Sequence, residues 1–114
     1  MCDEMPQRLL TDFELMILLA TMRLGDEAYG VPIAHEIETA TGRDVSRASV
    51  YTAIERLQRT GLVTSSLGEP TAERGGRAKR FVTVTTRGVR AVKDAQRALT
   101  TLWSGIPRLE KHLA

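Results

Sequence analysis

The stretch SRASVYTAIERLQRTGLVTSSL, Ser46 to Leu67, constrains the fold more than any other part of the chain. Ser46 is a helix-capping residue type, and Val45 and Val50 stand where a hydrophobic staple places its two partners. Val50, Ala53 or Ile54, and Leu57 recur every three to four residues, which gives one buried stripe ending at Gly61. A short alternating run, 62–67, follows at once and reads as a strand. Arg47, Ser49, Thr52, Glu55, Arg56 and Arg59 lie off the stripe, with Tyr51 at its flank. Such a helix must be covered on one side by other elements, and it leaves a basic, hydroxyl-rich side outside.

The upstream sequence supplies the cover. Thr11 and Glu14 form a capping-box pair, and Phe13, Ile17, Leu18 and Met22 make the apolar side of a first helix that ends near Leu24-Gly25-Asp26. A second helix follows Tyr29-Gly30. Pro32 suits its first turn, Ile33, Ala34 and Ile37 continue to Ala40 or Thr41 as its buried side, and Gly42 is the stop.

Downstream, residues 68–78 (GEPTAERGGRA) are turn-rich. RFVTVT, 80–85, alternates as a second strand with Phe81 on one face and its valines on the other. The two strands make a hairpin, which needs helices packed on it for stability. From Arg87 to about Leu113 the apolar residues Val89, Val92, Ala95, Leu99, Leu102, Ile106, Leu109 and Leu113 repeat with near-heptad spacing. Gly105 and Pro107 interrupt this pattern. Either one bent helix or two helices, the second starting at Pro107, would fit; the unbroken phase of the stripe favours a bend.

The formal net charge of +2 hides an asymmetry. Residues 1–42 carry two basic and eight acidic groups, whereas residues 43–97 carry twelve basic and five acidic groups. A protein with one anion-facing side has this distribution. The longest apolar runs, such as LMILLA, fall far short of the ~20 residues a membrane span needs. The N-terminus, MCDEMPQ, is acidic and lacks the pattern of a secretory leader. Cys2 is the single cysteine, which excludes an internal disulfide. Cytoplasm is the expected compartment.

The element order is helix, helix, helix, strand, loop, strand, long helix. We therefore expect a mainly α fold with a small antiparallel β hairpin: a winged helix-turn-helix over residues 1–86 and a C-terminal dimerisation helix over 87–114, with a kink near Pro107. In such a domain the third helix enters the DNA major groove with its N-terminal half against the bases. Arg47, Ser49, Tyr51 and Thr52 lie in that half. Arginine can pair bidentately with guanine, and hydroxyls are adaptable contacts. Arg56, further along, faces phosphate or an acidic neighbour. In the wing, Arg74, Arg77, Lys79 and Arg80 surround Gly75 and Gly76, a basic tip suited to the backbone or the minor groove.

The sequence also resembles the PadR family of bacterial transcriptional regulators. The residues that carry the resemblance are LTDFELMILL (10–19), YGVPIAHEIE (29–38), ASVYTAIERLQRTGLV (48–63), GGRAKRFVTVTTRG (75–88) and Trp103. The resemblance implies a homodimer whose C-terminal helices pack across the two-fold, usually with the other subunit's first helix. It also implies repression of nearby genes, with release from DNA in some members on binding an aromatic or drug-like molecule. Ser49, Tyr51, Thr52 and Arg56 match the family's DNA-facing residues, and Gly75, Gly76, Arg77 and Arg80 match its wing. The family usually has proline where Thr52 stands and often tyrosine where Val82 stands; the first departure bears on which bases are read. Trp103 corresponds to a tryptophan that lines a ligand pocket at the dimer centre of multidrug-binding members.

Val92, Leu99, Leu102, Trp103, Ile106 and Leu109 are thus the expected dimer seam, and Trp103 is the candidate for stacking on a flat effector. His35, His112 and Cys2 have no metal-ligand spacing, so no metal and no cofactor are expected. Cys2 has no adjacent basic residue to stabilise a thiolate. No phosphate loop or serine–histidine pair suggests an enzyme. The competing function is a winged-helix dimer whose basic face meets an acidic protein partner.

Overall fold

The computed structural model describes residues 9–68 and 79–112. Among the described residues, five helices and two strands run in the order α1 (Asp12–Leu24), α2 (Gly30–Thr41), α3 (Arg47–Arg59), β1 (Val63–Leu67), β2 (Arg80–Val84), α4 (Thr86–Trp103) and α5 (Pro107–His112), with one 3-10 turn at Gly25–Glu27 after α1. This is the mainly α fold with an antiparallel hairpin expected of a winged helix-turn-helix followed by a C-terminal helical element.

The helix starts follow local chemistry. The capping box at Thr11 is complete: its hydroxyl accepts the Glu14 N–H at 3.0 Å, and the Glu14 carboxylate accepts the Thr11 N–H at 3.0 Å. Ser46 caps α3 by accepting from the Ser49 N–H at 3.1 Å. At the end of α2, Gly42 takes the left-handed conformation, φ 75°.

One core joins the elements. Ile17 and Leu18 of α1, Ile33 and Ile37 of α2, and Val50, Ile54 and Leu57 of α3 are buried together with Leu62, Val63 and Val82 of the hairpin. The strands pair in the register Val63↔Val84 to Leu67↔Arg80. The Val82 N–H donates to the Ala28 carbonyl at 2.8 Å, so the segment before α2 adds a single extra rung to the hairpin.

The junction between hairpin and α4 is tightly tied. Thr85 caps α4 by accepting from the Gly88 N–H, its hydroxyl lies within hydrogen-bond distance of the Gly61 and Leu62 carbonyls at 2.8 and 3.1 Å, and its N–H donates to Leu62 at 3.0 Å. Beyond Val92, which packs into the core, α4 leaves the body of the domain and most of its residues are exposed.

The long C-terminal helix is not one bent rod. It ends at Trp103, Gly105 turns the chain at φ 83°, and Pro107 starts α5. Apolar phase misleads here because it reports only where side chains fall. Continuity depends on the backbone: a glycine at positive φ after Ser104 stops one helix, and a proline two residues further on opens the next. The Glu110 carboxylate then accepts the Gly105 N–H at 3.0 Å and fixes the corner.

Candidate nucleic-acid interface

The residues of α3 divide as its stripe requires. Val50, Ala53, Ile54 and Leu57 are buried, while Arg47, Ser49, Tyr51, Thr52, Glu55 and Arg59 are exposed. Ser49 is held locally, its hydroxyl accepting from Ser46 at 2.9 Å. Arg47 and Thr52, by contrast, stand open to solvent on the first two turns.

Tyr51 is less free. Its ring lies across the start of α2, and a Cβ built on Gly30 would sit 2.5 Å from its hydroxyl oxygen and 2.6 Å from two ring carbons. The side chain still keeps nearly half of its surface open to solvent. Arg56 has an acidic neighbour, one of the two roles expected for it. Its guanidinium lies 3.5 Å from the carboxylate of Glu14, which is fully buried, while the arginine side chain is 43% exposed. Arg56 is therefore tied to α1 and has a face left for an anion.

Of the wing, Lys79 and Arg80 are described and both are exposed. The Lys79 ammonium sits 4.7 Å from the centroid of the Tyr29 ring, a cation–π contact. Phe81 meets the same ring edge-on at 5.4 Å. Gly75, Gly76 and Arg77, together with Arg74, lie outside the described residues.

In the sequence, Tyr29 and Gly30 mark the start of a helix and open one of the segments shared with the family, without a contact of their own. The structure gives them a larger part, since the stem of the hairpin rests on Tyr29 and Tyr51 of α3 rests on Gly30. The signal available in sequence is an aromatic residue where a small polar cap is the usual choice.

A second surface runs along α4 and α5. Leu99, Leu102 and Trp103 are at least half exposed, and Ile106 and Leu109 more than a third. Leu15 and Leu19 of α1 join Leu99 and Trp103 in lining an open groove of about 580 Å³. Val92 differs from the rest of the expected seam because its side chain is already covered inside the protomer. Sequence reasoning missed Leu15 and Leu19; the clue is the run LMILLA, apolar around the whole helix and so calling for cover on two sides.

Among the described residues no helix is long and apolar enough to cross a membrane, and no group of three or more His, Cys, Asp or Glu residues could hold a metal ion. His35 is exposed, with Thr39 as its near neighbour.

Comparison with known proteins agrees with this geometry. No curated protein matches the sequence. Among solved structures, RosR of H. salinarum is 27% identical, with a TM-score of 0.63 over 93% of this chain and 88% of that one. A PadR-like transcription factor of Bacteroides fragilis has a TM-score of 0.67 at 20% identity, covering 90% of each chain. A PadR-like regulator of Bacillus cereus has a TM-score of 0.65 at 19% identity, covering 85% of this chain and 89% of that one. These last two similarities show the fold. The model of the transcriptional regulator PadR-like family matches residues 18–94, more than half of the sequence, and the chain accordingly belongs to this family of DNA-binding transcriptional regulators.

Proposed function

We propose that the protein is a homodimeric repressor that binds a palindromic operator through α3 and the wing. The observation that carries this reading is the convergence of both basic elements on one spot. Tyr51 of α3 packs on Gly30 and Lys79 of the wing packs on Tyr29, so the exposed N-terminal half of α3 and the wing stem flank the same end of α2. In this arrangement Arg47, Ser49, Tyr51 and Thr52 meet base edges in the major groove. Lys79, Arg80 and the Gly75-Gly76-Arg77 tip meet the sugar-phosphate backbone beside it, and Arg56 reaches phosphate from its place beside Glu14.

The apolar surface of α4 supports the dimer. Leu99, Leu102, Trp103, Ile106 and Leu109 are left open within the protomer, and a partner's α4 or α1 would bury them, with Leu15 and Leu19 joining the contact. Trp103 at the rim of that groove is the residue on which an aromatic or drug-like effector would stack. Residues 1–86 thus read DNA and 87–114 pair the subunits.

The test is a fluorescence-anisotropy titration against the protein's own upstream DNA and a scrambled duplex, at two salt concentrations. The expected result is salt-sensitive binding with at least a ~1000-fold preference for the natural site. If the natural site and sites selected from a random pool bind no better than the scrambled duplex, sequence-specific binding is refuted and the acidic-protein-partner reading takes its place.

A further inference from the structure

We propose that Tyr29 and Gly30 form a positioning pair that sets operator selectivity by fixing the wing and the recognition helix against each other. The inference rests on the DNA-binding surface proposed above and deepens it.

Gly30 is buried in the first turn of α2, and its φ lies outside the left-handed region, so its backbone does not need glycine. Alanine would favour the helix more. What requires glycine is space: the far end of the Tyr51 ring occupies the position a Cβ would take. The ring direction, and with it the place of the Tyr51 hydroxyl, is therefore set by the absence of a side chain on another element.

Tyr29 does the corresponding work for the wing. It stands at the N-cap of α2 but makes no side-chain cap hydrogen bond. Its ring instead meets the edge of Phe81 and lies under the Lys79 ammonium. The main chain strengthens the link, since Val82 donates to Ala28 at 2.8 Å and Gly68 donates to Lys79 at 2.7 Å. Phe81 also packs so closely on Gly68 that a Cβ there would come within 2.6 Å of it. Two adjacent residues thus hold the strand stem on one side and the recognition helix on the other. A shift of about 1 Å in either changes which base edge Tyr51 and Arg47 meet, without removing any phosphate contact.

The contact is unusually easy to perturb without unfolding the protein. The atoms that a Gly30→Ala methyl would strike are the end of a half-exposed side chain, which can swing outward. Binding to the preferred operator and to a scrambled duplex would be measured for wild type, Gly30→Ala, Tyr51→Ala and the double variant, with thermal unfolding alongside. Gly30→Ala should lower the operator preference about tenfold, the size of one altered base contact. Its scrambled-DNA affinity should hold within about twofold and its helix content should be unchanged. In the Tyr51→Ala background the same substitution should cost nothing further, because the two act as one unit. Tyr29→Phe should keep the preference and Tyr29→Leu should lose it, since the ring and not the hydroxyl makes the contacts.

Three DNA-binding results are decisive against it. An unchanged preference in Gly30→Ala overturns the inference while leaving the DNA-binding surface intact. An equal loss in the Tyr51→Ala background overturns the link through Tyr51. A wild type without any preference overturns the proposed function and the inference together. Proton NMR reads the contact without DNA: the Gly30 α-protons should carry a ring-current shift that Tyr51→Ala abolishes, and its absence in wild type overturns the packing itself.

Discussion

Replacing Gly88 with alanine tests how rigidly the C-terminal helix is joined to the winged domain. The added methyl carbon would fall well inside contact distance of the Leu62 carbonyl oxygen and 2.7 Å from a Val84 methyl. Unlike a side-chain end, a carbonyl in a paired segment cannot rotate away. Either Leu62 or the first turn of α4 must move, and both are held by Thr85, whose N–H donates to Leu62 and whose hydroxyl donates toward Gly61 and Leu62. Overpacking of this kind costs about 1–3 kcal/mol. Each weakened hydrogen bond adds roughly 1 kcal/mol, and alanine's better helix propensity returns about 1 kcal/mol. The expected net loss is ~3 kcal/mol, a large part of the stability of a domain this size.

Urea unfolding followed by far-UV circular dichroism, at one fixed protomer concentration, is the assay. With a slope near ~2 kcal/mol/M, the midpoint should fall by about 1.5 M. Gly42→Ala is the control. Gly42 has φ 75°, but a methyl placed on it would have no atom within 4 Å. Only backbone strain of about 1 kcal/mol then applies, and the midpoint should fall by ~0.5 M. A Gly88→Ala midpoint equal to wild type, or a smaller shift than Gly42→Ala, would refute the argument from close approach.

Leu99→Asp should halve the sedimentation mass while leaving the helical spectrum in place, because Leu99 is 52% exposed in the protomer and the new charge meets water there; an unchanged dimer mass would remove α4 from the interface. Arg56→Gln should lower stability by about 1 kcal/mol, since it removes one cationic neighbour of buried Glu14; unaltered urea unfolding would show the pair to be energetically idle. Arg47→Ala should weaken operator binding more than scrambled-DNA binding, and equal losses would end its assignment as a base reader. Arg77→Ala should weaken both duplexes alike and reduce the salt slope by about one unit, and a selective loss on the operator would instead make it a reader of bases.

Much of this architecture is written in short-range patterns. Ser46, Thr11 and Gly42 mark helix ends because a capping hydroxyl or a left-handed glycine satisfies backbone groups within three or four residues. The stripe Val50–Ala53–Ile54–Leu57 marks the buried side of α3 because side-chain direction in a helix follows from spacing alone. Those two signals mark α3 and its outer face, and the alternation in 62–67 and 80–85 marks the hairpin after it. Spacing also makes the apolar row Leu99–Leu102–Trp103 of α4 legible, and the residues shared with a known family do the rest.

Other features depend on which elements meet, and spacing is silent about that. Val92 shares the seam's periodicity with Leu99, yet the core covers the first and leaves the second open. Leu15 and Leu19 become part of the C-terminal groove only because α4 passes that side of α1. Arg56 meets Glu14 across 42 residues of sequence, and Tyr51 meets Gly30 across 21. The break at Gly105 lies between the two cases: glycine and proline announce an interruption, while the backbone conformation makes it a corner. Elements and their polar and apolar faces are thus properties of the chain alone, because local hydrogen bonding and periodicity suffice to set them. The joining of hairpin and α3 through Tyr29 and Gly30 is a property of packing, because that contact exists only where three distant segments are brought to the same few ångströms.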